Sequence, residues 1–463
     1  MKYVVFFLML CVGVPLLANR AVIDAKVRGL LAGGIFLFAL LVKQGKVNFV
    51  SMETYRGPDR GFEVCTCDLI ALALCIVLHK KYPERIVKFP PGSWLLLALY
   101  IIATISVAGA EFKLVSFFSL FKWARAYGIY WITYNMLRMP WPRRNIWLGM
   151  VIAGWTLFLW ALKDKYIGHV YRVAACFDHS NTVPLFINQF LPVLAMWGLT
   201  DKKLSNAQSV LSTIGCLGLC VASQSSFSRL GMLLSVSGFF GSLLIANIFC
   251  RTKRVRGVTV FAVTGVIVGG LLALPSIMER IRTAPEESEL ARKEFNIAAK
   301  KMAEDHPFGV GVNNFSHALT KQARYSQFIT VMEDEDEAGV CHHIYNLTAA
   351  ELGKPGLYVF VVILVYFGGN ALIGFWKNRH NMVGWLCMSV FIGECALHVS
   401  GFAEWVFRIT PVTYMYAIMA GLAMGLKDGG GYDLIPQKKK PVKKLKALEV
   451  QELQAVEEAP CAV

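Results

Sequence analysis

Residues 354–375 read KPGLYVFVVILVYFGGNALIGF, a run with no charged residue between Lys354 and Lys377. At 1.5 Å per residue a helix of this length crosses a hydrocarbon core of roughly 30 Å. Working outward from it, comparable apolar runs recur near 3–18, 28–42, 62–78, 92–109, 116–137, 146–162, 183–199, 207–223, 230–249, 257–277, 383–400 and 408–426. Backbone groups in lipid must be satisfied within the segment or in a closed barrel, and the alternating pattern of a barrel is absent. The expectation is an all-α, polytopic integral membrane protein with about 12–13 transmembrane helices. A hydrophobic content of 56% against only 17% charged residues makes the lipid bilayer its solvent.

The formal charge of +16 does not point to nucleic acid, because the cations sit in short clusters between apolar runs. Arg20, Lys26 and Arg28, then Lys80, Lys81, Arg85 and Lys88, then Arg138, Arg143 and Arg144, and later clusters such as Arg251 to Arg256, fall in every second loop. That alternation places those loops inside and the intervening ones outside. A cleaved leader at the N-terminus would put Arg20, Lys26 and Arg28 on the wrong side, so the first run reads as a membrane helix. Most of the twelve cysteines lie inside apolar runs and read as small core residues. Only Cys176 and Cys341 fall in outer loops, where a disulfide is conceivable.

The chain divides into a transmembrane body over 1–426, a large polar loop over 278–353 within it, and a tail over 427–463. The tail carries Gly429 to Gly431 and then blocks of lysine and glutamate, a composition expected to stay disordered beside the membrane. Within the long loop, Leu290, Phe295, Ile297, Ala298 and Met302 recur at helical spacing between Glu286 and Asp305. This pattern predicts a surface helix lying on the membrane. An acidic run from Glu333 to Glu337 follows, and the chain re-enters apolar sequence through Cys341-His342-His343-Ile344-Tyr345.

Ionisable groups at the edge of an apolar body are costly, which makes those beside the long loop the first functional candidates. Arg229 sits in the polar break Ser225-Ser226-Phe227-Ser228-Arg229, Arg292 in the amphipathic stretch, and His342 at the re-entry. Guanidinium groups bind a departing diphosphate, and a histidine with an ordinary pKa near 6.5 accepts a proton from an attacking hydroxyl. These residue types therefore suit glycosyl transfer without a metal or other cofactor. Span-end arginines also serve as anchors or ion-pair partners. Lys122 and Arg125 share one helical face, set either toward donor diphosphate or lipid phosphates or in pairing with Asp68 or Glu111. Arg172 precedes Asn181 and is placed to steer an anionic substrate, and His306 is a loop or cap residue with a secondary claim on the acceptor. Gly309-Val310-Gly311 reads as a tight turn, because no Lys-Ser/Thr follows as a phosphate loop requires.

The strings Asp305-His306-Pro307-Phe308-Gly309-Val310-Gly311-Val312-Asn313-Asn314-Phe315, His342 and Glu351-Leu352-Gly353-Lys354-Pro355-Gly356-Leu357 together resemble the signature of the O-antigen ligase and polymerase superfamily. Ser228-Arg229-Leu230-Gly231 resembles the family's SRG break with a leucine inserted, and Cys176 to Thr182 resembles its entry to a span. Three positions depart from the pattern: His343 stands where the family has asparagine, Asn346 where it has leucine, and Asn296 near its usual tryptophan. The resemblance implies a membrane glycosyltransferase of the bacterial inner membrane with its site facing the periplasm. Its donor would be an undecaprenyl-diphosphate-linked glycan, with Arg229 and Arg292 engaging the diphosphate. His342 would be the base, His343 its understudy, and the acceptor a hydroxyl of a lipid-linked core, a growing glycan or a protein. The rival from another class is a transporter or flippase, which would need polar groups continuing to the midplane and shows inverted repeats that this sequence lacks.

Overall fold

The computed structural model describes residues 2–139, 143–282, 286–330 and 339–429. The acidic run Glu333 to Glu337 and the tail from 430 onward lie outside the described residues.

Each of the thirteen apolar runs forms a helix over most of its length, and the protein is an all-α polytopic membrane protein. Eight helices among the described residues are long and apolar enough to cross a membrane by themselves, from Lys2–Ile23 to Met382–Ser400. Their ends are set by local chemistry. Asn381 accepts from the backbone N–H of Val383 and Gly384, and Ser205 with Gln208 forms a reciprocal capping box. The Thr410–Lys427 helix lies closely along Lys113–Leu137: a Cβ on Gly421 would fall 2.8 Å from the Cβ of Thr133, so only a small residue allows the approach.

One element was not anticipated. Lys46–Ser51 and Gly61–Cys65 pair as an antiparallel hairpin ahead of the Thr66–Lys81 helix, so the apolar run near 62–78 begins in a strand. Its connecting segment carries Arg56, Asp59 and Arg60.

The Glu286–Asp305 helix forms where its periodicity predicts, but its docking differs from the expectation of a helix resting on lipid. Phe295, Ala298, Ala299 and Met302 are buried in one cluster with Ile344, Leu347 and Ala350 of the Ile344–Lys377 helix, while Leu290 and Ile297 stay exposed. Protein covers the Phe295, Ala298 and Met302 part of the stripe, and this docking brings Arg292 toward the re-entry histidines. All eleven described cysteines are free, Cys176 and Cys341 included.

Candidate functional site

The framework of the site is built by the two halves of the motif closing on each other. Pro355 has no N–H, so the carbonyl of Glu351 loses its helical partner, and Gly353 takes φ 68°, kinking the Ile344–Lys377 helix at that point. The freed carbonyls are taken by the motif: Val310 N–H donates to Ala350 at 2.9 Å and Gly311 N–H to Glu351 at 3.1 Å. Gly311 has φ 101° and its missing Cβ would meet that of Ala110 at 2.5 Å, so neither its conformation nor its space admits a side chain. The glycine pair is thus a turn that replaces lost helix hydrogen bonds.

Beyond the turn, two asparagines tie the hairpin and the Lys113–Leu137 helix together. The amide of Asn313 donates to the carbonyls of Asp59 at 2.8 Å and Val115 at 2.7 Å, and Asn314 donates to Ser116 at 2.8 Å. Lys122, only 2% exposed, forms an ion pair with Asp59 at 2.6 Å and donates to the carbonyl of Arg408 at 2.7 Å. Arg125 pairs with Asp68 at 2.7 Å, one of the two pairings open on sequence grounds. Both cations are consumed by this frame, which sets them apart from an open donor site.

Four of the remaining candidates converge on a carboxylate that sequence reasoning missed. Glu404, in the short loop before the Thr410–Lys427 helix, lies 3.1 Å from Nδ1 of His342 and 3.4 Å from Nη2 of Arg292. Asn181 donates to its Oε1 at 2.6 Å, and Arg172 donates in turn to Asn181 at 2.7 Å and to the carbonyl of Ser226 at 3.3 Å. Burial alone would raise the pKa of Glu404. The hydrogen bond and charge of His342, with the charges of Arg292 and His179, outweigh it and hold the carboxyl below its usual range. An ionised carboxylate only accepts, so His342 donates through Nδ1 in this contact; in the uncharged ring that tautomer leaves the lone pair on Nε2. His179 sits beside the cluster, where burial lowers its pKa.

The other candidates fall elsewhere. His343 caps the Ile344–Lys377 helix, its Nδ1 accepting from Asn346 N–H at 3.2 Å, and burial pushes its pKa down. Its occupied nitrogen separates it from His342. Asn296, at the departure from the family's tryptophan, accepts from Cys341 and Asn346 and so ties the loop helix to the re-entry. His306 ends the Glu286–Asp305 helix with its ring toward Tyr325, away from the Glu404 cluster's contacts. Arg229 opens the Arg229–Phe249 helix, three residues past the Ser226 carbonyl that Arg172 holds; it is exposed and has no hydrogen-bond or ion-pair partner among the described residues.

One cavity adjoins this cluster, and a second shares Arg408 with it. A polar one of about 500 Å³ is lined by His342, Glu404, Asn181, His179, Arg60 and Arg408 among others. An apolar one of about 420 Å³ lies between the helices, walled by residues such as Leu97, Tyr127, Phe360 and Phe367. Glu404 had one sequence signal: it is the lone carboxylate of a short outer loop, Gly401 to Ile409, between two apolar runs.

Residues 213–361 match the family described as O-antigen ligase, a stretch that holds Arg229, Arg292 and His342 and stops short of Glu404. No curated protein matches the chain.

Proposed function

We propose, from the match of residues 213–361 to the O-antigen ligase family, that the chain transfers a glycan from an undecaprenyl-diphosphate donor to an acceptor hydroxyl at the periplasmic face of the inner membrane. The observation that carries the reading is Glu404, whose two oxygens join His342 to Arg292 at the edge of a polar cavity.

The chemistry follows from those contacts. Nε2 of His342 takes the acceptor's proton as its oxygen attacks the anomeric carbon. The bond from that carbon to the diphosphate breaks, and the lipid diphosphate leaves with the electron pair. Arg292 shares its charge with Glu404 in the resting site and turns part of it toward the departing diphosphate, whose negative charge peaks in the transition state. Arg229, exposed and without a hydrogen-bond or ion-pair partner among the described residues, is assigned as the second guanidinium for the diphosphate. Glu404 stabilises the imidazolium once the proton has arrived, and Arg172 and Asn181 fix the carboxylate's position. Among the described residues, Lys122 and Arg125 hold the frame through Asp59 and Asp68. The apolar cavity takes part of the lipid tail.

The test is to incubate purified protein with a lipid-diphosphate glycan and candidate acceptors, namely a lipid-linked core, a glycan repeat and a protein hydroxyl. Wild type transfers to one of them, while His342→Ala lowers transfer about 10³-fold, within the range for loss of a general base. Undiminished transfer by both His342→Ala and Arg292→Ala defeats the assignment. Passage of the intact donor across a vesicle bilayer without any transfer replaces the enzyme by a flippase.

A further inference from the structure

The donor proposed above has an apolar tail, a charged middle and a polar glycan, and the molecule has an apolar cavity beside a polar one. Among the described residues one residue lines both: Arg408. We propose that Arg408 is the residue that meets the diphosphate where the lipid donor passes from the apolar cavity to the polar one. This rests on the reading of the donor as a lipid diphosphate, and it adds a binding residue outside the stretch that matches the family.

Three features suit Arg408 to that task. Its side chain is only 3% exposed, and its guanidinium lies 4.8 Å over the Trp123 ring, a setting with little water to screen its charge. Its Nη2 pairs with Glu351 at 2.7 Å, while Nε and Nη1 have no hydrogen-bond partner among the described residues, so part of the fork is unfilled where both cavities reach this residue. A guanidinium offers five N–H donors in a fixed fork that matches phosphate oxygens. Its backbone is also pinned, because the Arg408 carbonyl accepts from Lys122, itself paired with Asp59. The base of the side chain is rigid while its tip holds capacity for another anion. A diphosphate carries more charge than the single Glu351 carboxylate and draws the fork toward itself. The glutamate of the Glu351-Leu352-Gly353 motif then serves as resting counter-ion to a group that the ligand engages.

The aromatic and aliphatic lining of the apolar cavity fits a prenyl chain. Phe360 and Phe367 stand on the Ile344–Lys377 helix, Leu97 on Ser93–Ser106 and Tyr127 on Lys113–Leu137. Arg408 is the residue this lining shares with the cavity that holds His342 and Glu404.

The experiment measures equilibrium binding of a sugar-free polyprenyl diphosphate and of the matching uncharged polyprenol to the full-length protein in nanodiscs. Removing Arg408 alone strands the Glu351 charge, so the main variant carries Arg408→Gln together with Glu351→Gln. The expected result is at least a tenfold loss of affinity for the diphosphate, with polyprenol affinity unchanged within twofold. Arg408→Lys keeps the charge without the fork and falls between wild type and the double variant. Wild-type affinity for the diphosphate in the double variant, or an equal loss for polyprenol, overturns the proposal, as does a wild type that does not bind the diphosphate. Because no sugar is transferred, the result stands apart from the catalytic assay. Failed transfer with the expected binding defeats the enzymatic reading alone.

Discussion

The loop from Gly401 to Ile409 supplies one member to each of two arginine–glutamate pairs, and the pairs differ in access. Glu404 meets Arg292 at 3.4 Å with the arginine side chain 38% exposed, and the same carboxylate is shared with His342 and Asn181. Arg408 meets Glu351 at 2.7 Å with both side chains almost wholly buried. In the first pair the carboxylate is divided among several partners and solvent reaches the cation, so charge can be redistributed as a substrate develops its own. In the second, each charge depends on the other until a ligand competes. The same two residue types give a responsive site and a closed latch, and what separates them is burial and the number of partners.

The sharpest way to break that contrast lies in the frame under the closed pair. Lys122→Met leaves Asp59 buried without its cation and is expected to cost about 3 kcal/mol or more in stability, read by thermal or denaturant unfolding in nanodiscs. Adding Asp59→Asn recovers most of it. A single variant as stable as wild type would mean that the buried pair does not hold the hairpin. On the open pair, Arg292→Lys keeps charge but loses the planar fork. The donor KM rises about tenfold while folding is unchanged, since exposed substitutions mostly move stability by less than ~0.5 kcal/mol. An unchanged KM would remove Arg292 from the donor site.

The two neighbouring histidines give a finer version of the same test. His343→Ala removes a helix cap and costs about 1 kcal/mol, whereas His343→Asn supplies another capping acceptor and restores it, with transfer within about twofold of wild type throughout. A large loss of transfer in His343→Asn would reverse the roles of the pair. The smallest effect is a change of slope with pH. The carboxyl of Glu404 is held below its ordinary value of 4.5 in the folded protein, so its contribution to stability is present above that value and disappears as pH falls through the lowered one. Melting curves of wild type and Glu404→Gln should converge under acid. Parallel curves across the acid range would show that the carboxylate gains nothing from His342 and Arg292.

Much of the fold was legible because the decisive signal is local. An uncharged run long enough for the bilayer leaves the backbone little choice but helix, and all thirteen runs are helical over most of their length. The hairpin at Lys46–Ser51 and Gly61–Cys65 was hidden because its second strand merges with the apolar run that follows. The loop helix was legible in its periodicity but not in its docking, since the same stripe of Phe295, Ala298 and Met302 suits lipid or protein alike. Pairing is a tertiary property, and it is where sequence reading stopped. Lys122 and Asp59, or Glu404 and His342, meet only after the bundle has folded. The motif strings pointed to Arg292 and His342, while Glu404 lay beyond their reach in a short loop with no string of its own.

The central claim is that Glu404 acts on transfer through His342. Single-turnover rates of wild type, Glu404→Gln, His342→Ala and the double variant, measured with saturating lipid-diphosphate glycan and acceptor, address it most directly. Glu404→Gln alone is expected to slow transfer about 10²-fold, and adding it to His342→Ala to change the rate by less than about twofold. If the two losses instead multiply, the carboxylate and the imidazole work independently, and the site as described here is wrong.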